Sequence, residues 1–267
     1  MTDQPMHDAD TAPPHGSPPG AATVEEALLS RRSVRAFLPI DIPRVEIERL
    51  LSLASRSASN SNCQPWHVHV LTGEPKQRLT EALWQALDGD ERVAEREYPF
   101  QPAPDDWQEP YRTRRQAFGE GLYHGTLRIE TCDSEARQAH HRRNYDFFGA
   151  PVGLMLTVSR HPLDSALIDG GLFLQALMLV ARQAGLDTCP QASFIDFYPV
   201  IRHHLHIPDD QIVVCGIALG YADREHALSR YQTLREPVGN FTTFYDDEPA
   251  RHLPHGGSSP RVESTGR

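Results

Sequence analysis

The segment 167–184 constrains this chain more than any other. It carries Leu172, Phe173, Leu174, Leu177, Met178, Leu179 and Val180, so a helix built from it is apolar nearly all round rather than along one stripe. Such a helix is stable only when most of its sides are covered, and the rest of the chain must supply the cover. Gly170 and Gly171 interrupt it, each at about 1 kcal/mol relative to alanine. Glycines there let another backbone or a flat ring approach closely. Gly185 stands where a helix C-cap belongs.

Three strand-length apolar runs are available as cover. They are Val68, Val70 and Leu71; the near-continuous run from Val152 through Val158; and the stretch 211–221 with Gly216 and Gly220. Helical signals alternate with them. Thr23 and Glu26 form a capping box that opens a helix through Leu29. Ile42-Pro43 starts a second, whose stripe is Ile47, Leu50, Leu51 and Ala54. Residues 74–87 are amphipathic and 198–205 read as a short helix, while 189–193 read as a compact turn. Residues 98–145 form a polar excursion with few large apolar anchors: a loop over 98–110, then one or two polar helices, then His140 and His141 on a solvated face. Residues 1–22, with five prolines, and 247–267 bury too little to offset ordering entropy; both read as disordered tails flanking one domain, 23–246.

The charge narrows the function. A formal charge of −10 is wrong for nucleic acid or for an anionic membrane surface. No basic and apolar leader is visible, nor, on this reading, a segment apolar for the roughly 20 residues that a bilayer requires. Cys63, Cys132, Cys189 and Cys215 are far apart, with no C-x-x-C pair, and read as reduced thiols of a cytoplasmic protein.

Two stretches stand out against that acidic background. Arg31, Arg32, Ser33, Val34 and Arg35 place three guanidiniums and a hydroxyl within five residues. Guanidinium forks bind phosphate oxygens bidentately and stay charged at physiological pH. Twenty-four residues after Arg35 comes Ser59-Asn60-Ser61-Asn62-Cys63-Gln64-Pro65-Trp66, a run of short polar side chains that enters a strand. Held by its exit, such a loop can present amides to a ligand. His67 and His69 alternate on one strand, but no acidic or cysteine partner follows at a ligand spacing, so a metal pair is disfavoured.

Taken in order with 185–190 (Gly-Leu-Asp-Thr-Cys-Pro) and 215–221 (Cys-Gly-Ile-Ala-Leu-Gly-Tyr), these stretches resemble the nitroreductase superfamily of FMN-dependent flavoproteins, within it the nitrobenzoate-reductase-like members. The resemblance covers about 24–245. It implies an α+β fold around a mixed, mostly antiparallel sheet flanked by helices, in an intertwined homodimer with shared sites. It implies that Arg31, Arg32, Ser33 and Arg35 hold the FMN phosphate and ribityl chain, and that Arg235 closes over the phosphate. Ser59, Asn60 and Asn62 would come from the other subunit. Pro190, Gln191, Ala192 and Ser193 would lie along the ring, with one backbone N–H aimed at N5. Relatives often carry Asn shortly before the closing arginines, where this chain has Ser229.

The chain lacks G-x-G-x-x-G, so NADH or NADPH is expected to dock transiently on the flavin rather than in a dinucleotide fold. The implied chemistry is ping-pong: hydride passes from NAD(P)H to FMN, then to an electron-poor small molecule such as a nitroaromatic, with no side-chain nucleophile or metal. An oxidase, a reductive dehalogenase, an ene reductase or a non-catalytic flavin-binding protein on the same fold stays open. The excursion 98–145 mixes aromatics with arginines and reads as a lid over the flavin or, alternatively, as an arm that embraces the dimer.

Overall fold

The computed structural model describes residues 19–245, in two units that divide after Tyr231. The first is built on four antiparallel strands, β1 (Trp66–Leu71), β2 (Val152–Ser159), β3 (Asp187–Gln191) and β4 (Gln211–Gly220), in the order β1-β2-β4-β3. The family resemblance implies a mixed sheet, and the parallel pairing comes from outside the named strands, as a single bridge between Ser33 and Thr188. β2 and β4 are central and buried along almost their whole length, as near-continuous apolar runs should be.

Helices cover both faces of the sheet. α1 (Val24–Ser30) begins with the expected capping box, Thr23 Oγ1 accepting from Glu26 N–H at 3.1 Å. α2 (Arg44–Ala54) follows Pro43 and buries Ile47, Leu50 and Ala54. These pack with Phe173 and Leu177 of α6 (Leu163–Gln183) and with Leu154 and Leu156 of β2. A second core cluster gathers Leu79 and Leu83 of α3 (Gly73–Asp88), Tyr145, Phe147, Phe148, Phe194 and Phe197. The excursion contains α4 (Tyr111–Glu120), a π-helical turn (Gly121–Leu127) and α5 (Ser134–Arg142), and α7 (Tyr198–Leu205) follows β3.

Four expectations change. Residues 189–193 are no free turn, because Cys189, Pro190 and Gln191 complete β3 before a 3₁₀ turn, Ala192–Phe197. Proline is tolerated there because β3 is an edge strand and needs no donor on its outer side. His140 is buried, edge-on to Tyr123, rather than solvated. α6 starts at Leu163, four residues early, which makes it long and apolar enough to cross a membrane by length and composition alone. It is also less covered than its composition demands: Ile168 is 67% and Leu172 46% exposed. Pro19–Ala22 also belong to the described chain. Ala21 is buried and its N–H donates to Arg182 O at 3.1 Å. The remainder of the expected tails, 1–18 and 247–267, lies outside the described residues.

Candidate functional site

The arginine segment is docked as a short strand-like edge beside β3. Val34, buried, donates its N–H to Thr188 O at 3.0 Å, and Leu38 N–H reaches Tyr221 O at 2.8 Å. With Val34, Ala36 and Phe37 turned into the core, Arg31, Arg32, Ser33 and Arg35 are left half-buried around them. Arg32 Nη1 donates to Ser229 O at 3.3 Å, and Ser229 Oγ donates to Asp223 O at 2.5 Å. Arg35 Nη1 donates to Ser33 O at 3.1 Å, and its guanidinium lies 5.5 Å from the Phe118 ring on α4. The excursion therefore reaches the arginine segment directly, and Tyr231 Oη tightens the contact by donating to Phe118 O at 2.9 Å.

Beneath this edge lies a buried ion cluster. Asp187 at the start of β3 faces Arg224 at 2.7 Å and Arg182 at 3.4 Å. Burial pushes the Asp187 pKa up, with Arg224 and Arg182 opposing. Buried ion pairs contribute little net stability but are costly to break on one side, so the cluster pins the end of α6 to the start of β3.

Along β3 and the turn after it, Thr188 Oγ1, Gln191 Oε1 and Ser193 Oγ are buried and have no hydrogen-bond partner among the described residues. Gln191 is half satisfied, its Nε2 donating to Asn144 O at 2.6 Å. Three such orphans within six residues are unusual, because an unmet buried polar group costs about 1–3 kcal/mol. A ligand with both donor and acceptor edges fits that stretch. Nearby, burial first and then Arg143 and Arg35 hold the His140 pKa down at about 4, so this imidazole is neutral beside the arginines.

The polar loop is built differently. Ser61, Asn62 and Gln64 all take left-handed backbone, with φ of 49°, 57° and 50°. Non-glycine residues in that region cost energy and persist only when neighbours hold them. The holder is Asp169 of α6, 4% exposed, whose two carboxylate oxygens each lie 3.1 Å from Asn60 N–H. Ser59 Oγ adds an acceptor for Gln64 N–H at 3.1 Å. The loop leaves Asn60, Ser61, Asn62, Cys63 and Gln64 exposed.

Within the chain the sequence-derived site residues fall into three groups. Arg31, Arg32, Ser33 and Arg35 adjoin the strand that carries Pro190 and Gln191 and leads to Ala192 and Ser193. Ser59, Asn60 and Asn62 lie against α6 at Asp169, whereas Asp187, which feels the Arg32 charge, pairs with Arg182 near the helix's other end. From 169 to 182 a helix rises about 20 Å. Arg235 belongs to the second unit, where its Nη1 donates to Thr233 Oγ1 at 2.7 Å. Sequence reasoning missed Asp169. For Asp169 a signal existed, a carboxylate inside the apolar run immediately before Gly170 and Gly171.

The fold is α+β, a four-stranded antiparallel sheet edged by an arginine-rich segment, and comparison with known proteins makes the class specific. Residues 28–221 match the nitroreductase family. A 4-nitrobenzoate reductase from Nocardioides sp. (strain LMS-CY) is 47% identical over 90% of this chain and 97% of its own length. The 4-nitrobenzoate reductase of Pseudomonas putida is 44% identical over 82% of this chain and 94% of its own. Among solved structures, the FMN-dependent nitroreductase NfnB of Mycobacterium smegmatis, in complex with NADPH, superposes with a TM-score of 0.78 at 30% identity, covering 83% of this chain and 97% of that one. The chain belongs to the nitroreductase family.

Proposed function

We propose that the chain is an FMN-dependent oxidoreductase that uses NADH or NADPH to reduce an electron-poor aromatic, with a nitroaromatic as the acceptor. The observation that carries this reading is the conjunction at β3: orphaned buried polar atoms of Thr188, Gln191 and Ser193 beside the docked arginine segment. An isoalloxazine ring has the donor and acceptor edges those atoms lack, and its phosphate is the partner guanidiniums are shaped for. The two 4-nitrobenzoate reductases at 44% and 47% identity support the acceptor class.

Arg31, Arg32, Ser33 and Arg35 then bind the phosphate and ribityl chain, with Arg235 closing on the phosphate. Pro190, Gln191, Ala192 and Ser193 bind and orient the ring. Bound there, FMN supplies the two-electron chemistry that links the nicotinamide donor to the acceptor. Burial of β3 excludes water, and neutral His140 adds no charge beside Arg35.

The enzyme is a cytoplasmic homodimer on this reading, with no nucleic-acid or membrane partner. Ser59, Asn60 and Asn62 complete the site of a second copy, in keeping with their station on α6 away from the arginines. The exposed Ile168 and Leu172 are covered by that copy rather than by lipid, since the same helix buries Asp169 and Arg182. The excursion 98–145 acts as a lid, supported by Phe118 lying over Arg35.

The test is direct. The protein should purify yellow, and its flavin should bleach anaerobically with NADH or NADPH and recover on adding 4-nitrobenzoate. Arg35→Glu should purify colourless, because it replaces a phosphate donor with a repelling carboxylate. Full flavin occupancy in that variant would sink the assignment.

A further inference from the structure

A cavity of about 740 Å³ opens in the excursion, walled in part by Trp107, Arg112, Arg115, Phe118, Tyr123 and Arg137. Its volume is that of a small-molecule site, which typically spans about 300–1,000 Å³. Phe118 belongs to this wall and also lies over Arg35, so the cavity adjoins the arginine segment.

Two guanidiniums in the wall are laid on aromatic faces. Arg115 lies 5.4 Å from the Trp107 ring centroid and Arg137 lies 4.3 Å from that of Tyr123. A guanidinium held by its face keeps its N–H edge directed elsewhere, which is the geometry of a planar fork. Among the described residues no carboxylate lies within ion-pair distance of either one, whereas Arg112 is already held by Glu109 at 2.9 Å. Trp107 Nε1 is buried without a hydrogen-bond partner among the described residues and offers a further donor. The acidic residues of the wall, Asp105 and Glu120, are exposed, so water screens them. The wall thus combines aromatic faces, two uncommitted forks and an orphaned N–H.

We propose that this cavity binds the carboxylate of an aromatic acceptor, with Arg115 and Arg137 as the fork, Trp107 Nε1 as an added donor, and Phe118 and Tyr123 against the aromatic body. The proposal rests on the reduction reading above and makes nitroarenes bearing a carboxylate, rather than neutral ones, the preferred acceptors.

Benzoate is the binding probe, since it carries the carboxylate and no reducible group. Titrated calorimetrically into the FMN-loaded protein, it should bind wild type and bind Arg115→Met and Arg137→Met about tenfold more weakly, the loss of one charge-assisted hydrogen bond. Arg115→Lys and Arg137→Lys should recover part of that affinity, and benzamide should bind wild type worse than benzoate. In turnover, the ratio of kcat/KM for 4-nitrobenzoate to that for nitrobenzene should fall in the Met variants by a similar factor, through KM. Wild type that does not prefer benzoate to benzamide, or Met variants that keep the ratio within about twofold, overturns the proposal. Met variants that instead raise KM for the nicotinamide donor assign the cavity to the dinucleotide and overturn it as well. Failure of the reduction reading looks different: neither nitro compound is then reduced, and benzoate affinity alone decides the fork.

Discussion

Asp169 offers the sharpest test of how the polar loop is held. Its carboxylate is buried, and both oxygens lie 3.1 Å from Asn60 N–H. A hydrogen bond to a charged group is worth about 1.5–3 kcal/mol net. Asn60 is exposed, so water replaces part of the lost bond and the lower half of that range, about 1.5–2 kcal/mol, applies. The left-handed Ser61, Asn62 and Gln64 push the same way, because each relaxes once the tether is cut. Asp169→Ala should therefore depopulate the loop conformation and weaken FMN binding by about 10–30-fold. Asp169→Asn keeps one acceptor oxygen and the side-chain shape, and should cost about three- to fivefold. The assay is titration of apoprotein with FMN, followed by quenching of flavin fluorescence, alongside melting of each apoprotein. FMN affinity in Asp169→Ala within about twofold of wild type refutes the reasoning, as does an Asn variant weaker than the Ala variant.

The remaining predictions concern pH, assembly and the loop thiol. The pKa of His140 is held at about 4 in the folded chain, against about 6.5 unfolded. The unfolded chain therefore binds the proton first, and stability should fall as pH drops from about 6.5 to about 4, by up to roughly 3 kcal/mol. His140→Gln should flatten that dependence, as read from urea midpoints across the window. Leu172→Arg places a charge on the exposed apolar face of α6 and should yield a flavin-poor monomer in light scattering; a flavin-loaded dimer contradicts the assignment of that face. Cys63 is exposed and free, and Cys63→Ser should leave turnover nearly unchanged. A hundredfold loss, about 3 kcal/mol of transition-state stabilisation, would point to a covalent role.

Legibility followed the range of the interactions involved. The capping box at Thr23 and Glu26, the apolar runs of β2 and β4, and Gly185 with φ of 78° are local signals, and each appears where the sequence puts it. The strand character of Cys189, Pro190 and Gln191 was hidden, because proline and short polar neighbours carry a turn signal that only an edge position overrides. Burial of His140 was hidden for a related reason. Its cover, Tyr123 and Phe148, arrives from separate elements of the fold. The arginine segment stands out in the sequence because five consecutive residues carry its chemistry. Asp169 carried a local signal, but its pairing did not, since its partner Asn60 lies 109 residues away.

Two glycines of the central strands bear on how this protein tolerates change. A Cβ built on Gly216 would lie 2.5 Å from the Phe194 ring, and one on Gly153 would lie 2.7 Å from the Phe147 ring. Those two rings touch each other, their centroids 4.9 Å apart, and Phe194 follows Ser193 directly. The bare backbone of β2 and β4 is therefore the seat on which the aromatic backing of the β3 turn rests. A single added methyl group at Gly216 must lift Phe194, and the displacement passes along one covalent bond to Ser193. On the proposed reading, substitutions in the excursion 98–145 change the acceptor range while this seat stays glycine. Libraries that alter this protein's pockets therefore belong away from Gly153 and Gly216, where even one added carbon meets an aromatic ring.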